Sequence, residues 1–228
     1  MMKIGGFSKL TLLDFPGCVA CIVFTSGCNF RCPFCHNASL VTHTKDSEDI
    51  SEDEILSYLK KRKGLLDGVV ITGGEPLLQN GIEDFIIKVR DLGYKVKLDT
   101  NGSFPDKLKN LLDKGLLDYV AMDIKNSKEK YSATAGCEVN LADIEKSISL
   151  LENSGIDYEL RTTVTQELHN EDDIKNIALW IKKSPKYFIQ NFKNSGDIVG
   201  ENLSEFSKDD LEKLLKTACD NGLSAFVR

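Results

Sequence analysis

The chain has 228 residues, 41% of them hydrophobic and 28% charged, and a formal net charge of −6. That composition is ordinary for a soluble globular protein, and the acidic balance argues against a nucleic-acid partner. No apolar run approaches the roughly 18 residues of a membrane helix, and the start, MMKIGG, lacks the apolar core of a signal peptide. A cytoplasmic protein without membrane contact is expected, in a compartment where thiols stay reduced.

In chain order, apolar runs rich in β-branched residues predict strands at 19–25, 69–72, 95–99, 119–123, 158–164 and 187–190, with a short terminal one at 224–227. Segments of helical period lie between them. Ser51-Glu52-Asp53-Glu54 is a capping box that opens a helix to about 63, and its basic end, Lys60-Lys61-Arg62-Lys63, reads as a solvated helix terminus. Helices over 81–92 and 106–114 close near Gly93 and Gly115, and acid-bearing starts at 140–143, 170–173 and 207–210 open three more.

This alternation predicts a parallel sheet with right-handed crossovers. A closed eight-unit barrel needs about 250 residues, so the expected fold is α/β, a partial (β/α)6 TIM-like barrel, with a doubly wound sheet as the alternative. No linker, low-complexity tract or repeat divides the chain. Residues 1–228 are expected to form one domain, with a cysteine loop at 27–37, a core over about 17–200 and a C-terminal helix over about 207–221.

The unusual residues fall after predicted strands. GCNFRCPFC (27–35) follows the first, Thr72-Gly73-Gly74-Glu75-Pro76 the second, Asp99-Thr100-Asn101-Gly102 the third and Asp123-Ile124-Lys125 the fourth. Arg161 lies in the fifth strand, and Gln190-Asn191-Phe192 ends the sixth. In parallel α/β folds that edge is where ligands bind, so these residues describe one lined cavity.

Cys28-x3-Cys32-x2-Cys35 places three thiols within eight residues. Reduced surroundings disfavour a disulfide. Zinc remains open, because His36 could complete a Cys3His set, though ligands adjacent in sequence strain a tetrahedron. An iron–sulfur cube with one iron left free of protein ligands is the other reading. Gly73-Gly74 offers backbone that a ligand can approach closely. Glu75 could meet an ammonium, Asp99 and Asp123 a cation or hydroxyls, and Lys125 a carboxylate. A ligand carrying amine, carboxylate and ribose would satisfy this set, whereas a zinc clip explains none of it.

CxxxCxFC (Cys28, Cys32, Phe34, Cys35) followed by GGEP at 73–76 resembles the radical S-adenosylmethionine (radical SAM) superfamily. LTLLDFPG, CIVFTSGCNFRCPFCHN, ITGGEPLLQ, LDTNG, AMDIK and YSATAG together resemble the glycyl-radical-enzyme activases. Among these the chain is most similar to the activating proteins of anaerobic ribonucleoside-triphosphate reductase, and next to pyruvate formate-lyase activating enzyme. The resemblance, from about 5 to 165, implies that Cys28, Cys32 and Cys35 ligate a [4Fe-4S] cluster whose fourth iron takes the amine and carboxylate of S-adenosylmethionine. It implies that Gly73, Gly74 and Glu75 hold the methionyl amine, that Phe34, His36 and Asn37 border the adenine, and that Asp123, Lys125 and Arg161 meet ribose and carboxylate. It further implies a monovalent cation near Asp99, Thr100 and Asp123. The activity implied is reductive cleavage of S-adenosylmethionine to a 5′-deoxyadenosyl radical, which removes a hydrogen from a glycine of a partner glycyl radical enzyme. The implied electron donor is a flavodoxin or ferredoxin.

The sequence departs from pyruvate formate-lyase activase near the sixth strand, where Phe192-Lys193 stands in place of a histidine; this favours the ribonucleotide-reductase type. Only 37 cysteine-free residues separate Cys35 from Gly73, so auxiliary clusters are not expected. The alternatives are a pyruvate formate-lyase-type activase, a radical SAM enzyme acting on a small molecule or peptide, and, more remotely, a non-catalytic zinc-binding adaptor. Of the remaining residues, Cys18 and Cys21 are expected to pack in the core, on opposite faces if both lie in the strand. Cys137 and Cys219 are expected to be structural, Trp180 to face the core, and His43 and His169 to be solvated.

Overall fold

The computed structural model describes residues 2–42, 50–194, 196 and 198–228. One eight-stranded sheet runs through them, and its strand order equals the chain order. Strand β1 (Ile4–Thr11) pairs antiparallel with β2 (Ala20–Thr25). Parallel pairing then continues through β3 (Gly68–Gly73), β4 (Lys95–Thr100), β5 (Tyr119–Asp123), β6 (Asp157–Val164), β7 (Tyr187–Asn191) and β8 (Ala225–Val227). A doubly wound sheet reverses its strand order at a switch point; this sheet never does, which rules out that alternative. Instead it curls: the ring of His36, after β2, meets that of Phe192, after β7, with centroids 5.3 Å apart. β1 and β8 do not pair, so the barrel stays open along a seam between them.

The crossovers are α2 (Glu52–Lys61), α3 (Ile82–Asp91), α4 (Pro105–Asp113), α6 (Leu141–Asn153) and α7 (Glu171–Trp180), followed by α8 (Lys208–Asp220) before β8. Ser51 caps α2 by accepting from Glu54 N, and Asn170 with Asp173 forms a reciprocal capping box on α7. The basic end of α2 is exposed. Three elements lack a periodic signal in the sequence: β1, interrupted by Gly5-Gly6, and the five-residue helices α1 (Ala38–Thr42) and α5 (Tyr131–Ala135).

Alternation along the strands sorts the core into two layers. Cys21, Val23, Val69, Ile71, Val96, Leu98, Val120 and Leu160 face the helices. Ala20, Ile22, Val70 and Tyr119 face the barrel interior, where Phe15 plugs the space between them. The interior also holds buried Glu159, which accepts from Tyr119 Oη (2.8 Å) and from Arg228 Nη1 and Nη2 (2.6 and 3.0 Å). The Arg228 guanidinium lies 3.6 Å from the centre of the Phe188 ring.

Cys21 packs against the helices and Cys18, just before β2, against the interior group, so the two do separate. Trp180 is partly buried, edge-on to Tyr131. Two expectations fail. Cys219 is exposed, on the outer side of α8, and holds nothing together. His169 is buried rather than solvated, because its polar neighbours turn outward while its ring passes under the mouth. There Nε2 lies 2.9 Å from Lys125 O and the ring packs near Phe34. His43 lies outside the described residues.

Candidate cofactor site

Cys28, Cys32 and Cys35 sit on the loop after β2, which folds across the C-terminal edge of the barrel. Two distant clamps hold it there. Arg31 N donates to Ala135 O at the end of α5 (2.8 Å), and Gly200 N donates to Pro33 O (2.8 Å). Gly136 makes the first clamp possible. Its φ is +68°, and a Cβ there would lie 2.2 Å from Arg31 O, so YSATAG is a docking turn for the cysteine loop.

The loop roofs a cavity of about 410 Å³, within the range of small-ligand sites. Its lining includes all three thiols together with Phe34, His36, Asn37, Gly73, Gly74, Asp99, Thr100, Asp123, Lys125 and Arg161. The structure thus brings every expected site residue except Glu75 to one space. Asn101, Thr163 and Asp14 join them; Asn101 belongs to the 99–102 stretch expected at the third strand end.

Glu75 differs from expectation. It is fully buried beneath the cavity wall, where its carboxylate accepts from Leu77 N (2.9 Å), Thr100 Oγ1 (2.8 Å) and Asn101 N (2.7 Å). Burial pushes its carboxyl up to about 7 against the pull of those donors. It therefore ties the turn after β3 to the end of β4. A Glu75→Gln variant turns an amide N–H₂ toward these donors. It is expected to lose about 1–3 kcal/mol of stability, measured by urea unfolding of the metal-free protein.

Gly73 and Gly74 make a bare backbone shelf. At Gly74 a Cβ would fall 2.0 Å from Gly27 O, so the shelf and the cysteine loop touch through backbone alone. Asn37 Nδ2 donates to Gly73 O (3.0 Å), leaving its other groups toward the cavity.

A chain of charges lines the same cavity as the thiols. Arg161 Nη1 reaches Asp99 (3.4 Å), and Arg161 Nη2 and Nε reach Asp123 (both 2.9 Å). Lys97 pairs with Asp99, and Lys125 with Asp123 at 3.0 Å. Burial works against the charge on Asp123, yet Arg161 and Lys125 hold its carboxyl down at about 2. Asp99 is lowered in the same way, with Arg161 and Lys97 outweighing burial. Both carboxylates find counter-charges within the protein, and the Thr100 hydroxyl is turned to Glu75. Three cations on two carboxylates leave this wall with one surplus positive charge, suited to an anionic group.

Burial pushes the thiols of Cys28 and Cys32 up to about 12 and 11, with Lys125 pulling both back. Cys28 Sγ nevertheless receives Phe30 N–H (3.3 Å) and Asn101 Nδ2 (3.9 Å). Donors aimed at a sulfur suit a thiolate bound to metal.

The site and fold together define a radical SAM protein. Residues 22–181 match the model of the Radical SAM superfamily, and the chain belongs to that family. A Methanocaldococcus jannaschii protein named "putative glycyl-radical enzyme activating enzyme" is 33% identical over 201 residues, covering 83% of this chain and 80% of the relative. The pyruvate formate-lyase-activating enzyme of Clostridium pasteurianum is 27% identical over 80% of this chain and 77% of its own length. Among solved structures, SuiB of Streptococcus suis bound to its precursor peptide SuiA superposes with a TM-score of 0.73. That match has 17% identity and covers 91% of this chain but 48% of SuiB. The chain spans about half of SuiB's length, and the likeness is one of fold.

Membership makes the protein an enzyme and implies a [4Fe-4S] cluster and S-adenosylmethionine. The donor chemistry suits that pair: three thiols line one cavity with N–H donors at one sulfur, and a charged set with one surplus positive charge lines it with them. No described helix is long and apolar enough to cross a membrane.

Proposed function

We propose that this chain is an activase that generates a glycyl radical on a partner enzyme, with anaerobic ribonucleoside-triphosphate reductase as the partner. When bound and reduced, the cluster supplies the electron that splits the sulfonium of S-adenosylmethionine. The chain's own residues do the rest. Cys28, Cys32 and Cys35 would hold three irons, and the Gly73–Gly74 shelf would take the methionyl amine through backbone carbonyls. The surplus charge of Arg161 and Lys125 would meet the carboxylate, while Phe34, His36 and Asn37 would flank the adenine. The roofing loop keeps water from the reacting atoms.

The observation that carries the reading is one cavity joining the three thiols, the glycine shelf and the cationic wall in a barrel left open along one seam, as a macromolecular substrate requires. The names of the M. jannaschii and C. pasteurianum relatives support the activase class. A flavodoxin or ferredoxin is the proposed reductant.

The test is anaerobic incubation of the reduced holoprotein and S-adenosylmethionine with anaerobic ribonucleoside-triphosphate reductase or pyruvate formate-lyase. Electron paramagnetic resonance is expected to show a glycyl doublet on the reductase. Cofactor cleavage without that doublet on either protein would transfer the assignment to a small-molecule or peptide substrate.

A further inference from the structure

Lys97 is the most deeply buried lysine or arginine among the described residues, at 2% exposure, and the packing of the barrel does not account for it. Val96 and Leu98 face the helices, so Lys97 points the other way, into the barrel interior. Its strand neighbours are Val70 on β3 and Tyr119 on β5, both members of the apolar interior group. Its ammonium lies 5.9 Å from the centre of the Tyr119 ring. Taking an ammonium out of water is costly, and a buried ion pair is often no more stable than apolar side chains of the same volume. An apolar residue would therefore serve the fold as well as Lys97 does.

What Lys97 touches is the wall of the cofactor cavity, from behind. Its ammonium pairs with Asp99 Oδ1, while Asp99 Oδ2 takes Arg161 Nη1 at 3.4 Å. Asp99 and Arg161 line the cavity and Lys97 does not. The guanidinium is held unevenly: Nε and Nη2 sit 2.9 Å from Asp123, whereas Nη1 is bound only loosely. With Lys97 answering Asp99, the pull on Nη1 stays weak. Lys97, Arg161 and Lys125 then outnumber the two carboxylates by one. Without Lys97 the charges would balance, and Asp99 would draw Nη1 toward itself.

We propose that Lys97 is a positioning residue that makes the cofactor site select a ligand bearing a carboxylate. It neutralises Asp99 from behind the wall, and the Arg161 guanidinium is left to the ligand. The inference rests on the reading that Arg161 and Lys125 meet the carboxylate of S-adenosylmethionine, and it adds the residue that frees Arg161 to do so. Selectivity becomes a matter of charge count, lost at one position and restored at another. Removing the Lys97 charge cancels the surplus; removing the Asp99 charge as well returns it.

The experiment measures equilibrium binding to the reconstituted, unreduced holoprotein, in which no electron is available for cleavage. The probes are S-adenosylmethionine and its decarboxylated analogue, which keeps the amine, sulfonium and nucleoside. Wild type is compared with Lys97→Met, Asp99→Asn and the double variant, each checked by circular dichroism. The readout is the ratio of the two Kd values, in which contacts shared by both ligands cancel. Lys97→Met is expected to lower the preference for the carboxylate about 10-fold, the scale of one unit charge at the effective dielectric of a protein site. Asp99→Asn is expected to raise it, and the double variant to return it to the wild-type value. An unchanged ratio in Lys97→Met, including an equal loss for both ligands, overturns the proposal. So does a double variant that stays at the Lys97→Met value, because Lys97 then acts through packing. If Lys97→Met does not fold, Asp99→Asn decides, and an unchanged ratio there overturns the proposal. In each of these cases a wild type that prefers S-adenosylmethionine leaves the carboxylate reading standing. A wild type that prefers neither ligand overturns both.

Discussion

Reconstituted anaerobically with iron and sulfide, Cys32→Ala protein is expected to bind no cluster, to lack absorbance near 400 nm and to cleave no S-adenosylmethionine, while keeping its fold. Cys32 is 6% exposed, on a loop that is clamped at both Arg31 and Pro33 by backbone hydrogen bonds. Neither clamp uses the thiol, so the loop stays in place when the sulfur is removed. Losing one small buried side chain costs about 1 kcal/mol, which the barrel tolerates. Losing one of three ligands leaves two irons unheld by protein, which a cube exposed to solvent does not survive. The measurement pairs iron and sulfide content with circular dichroism. A colourless wild type holding one zinc, or a Cys32→Ala protein that keeps its cluster, contradicts the assignment.

The second large effect concerns stability. Arg161→Met removes the group that bridges Asp99 and Asp123 but leaves each carboxylate its lysine, Lys97 and Lys125, so neither charge is wholly unpaired. The Asp123 side chain is also 31% exposed, and a loss of about 1–3 kcal/mol is expected, below the range for an unpaired buried charge. The pH dependence gives it a signature. In wild type the Asp123 carboxyl sits at about 2 against a free value of 3.8. Its contribution is therefore fully present above about pH 4 and fades as pH falls toward 2. In the variant the two carboxylates lose their main counter-charge while burial remains, so their pKa values move upward. Protonation then relieves the folded state, and the deficit relative to wild type should shrink as pH falls from about 4 toward 2. Urea unfolding of the metal-free proteins across this range measures this; an equal deficit throughout would show that Arg161 is not the counter-charge.

The strand–helix rhythm was legible because buried parallel strands are short β-branched runs, and 119–123 coincides with β5 to the residue. β1 was not legible. Its residues, IGGFSKLT, are neither alternating nor continuously apolar, since as an antiparallel edge strand it shares its burial with the barrel interior and solvent. The positions of the site residues were legible because polar residues recur after each strand. Their partners were not. Glu75 carries the same sequence signal whether it faces a ligand or the underside of a turn; only the fold shows Thr100 and Asn101 reaching back to it. The Arg161 bridge likewise joins residues 38 and 62 positions apart, beyond any local pattern. His169 was misread because a polar neighbourhood in sequence does not say which way a ring turns.

Because strand order equals chain order, each βα unit pairs with the unit made just before it, and little loop entropy opposes that step. The barrel can assemble progressively as the chain lengthens. The thiol loop cannot. Its two fastenings are Ala135 and Gly200, which lie about a hundred residues or more farther along, so the loop settles only after the later units are in place. The seating of the thiol loop therefore depends on residues that follow it in the chain, and a chain cut before Ala135 would lack both fastenings.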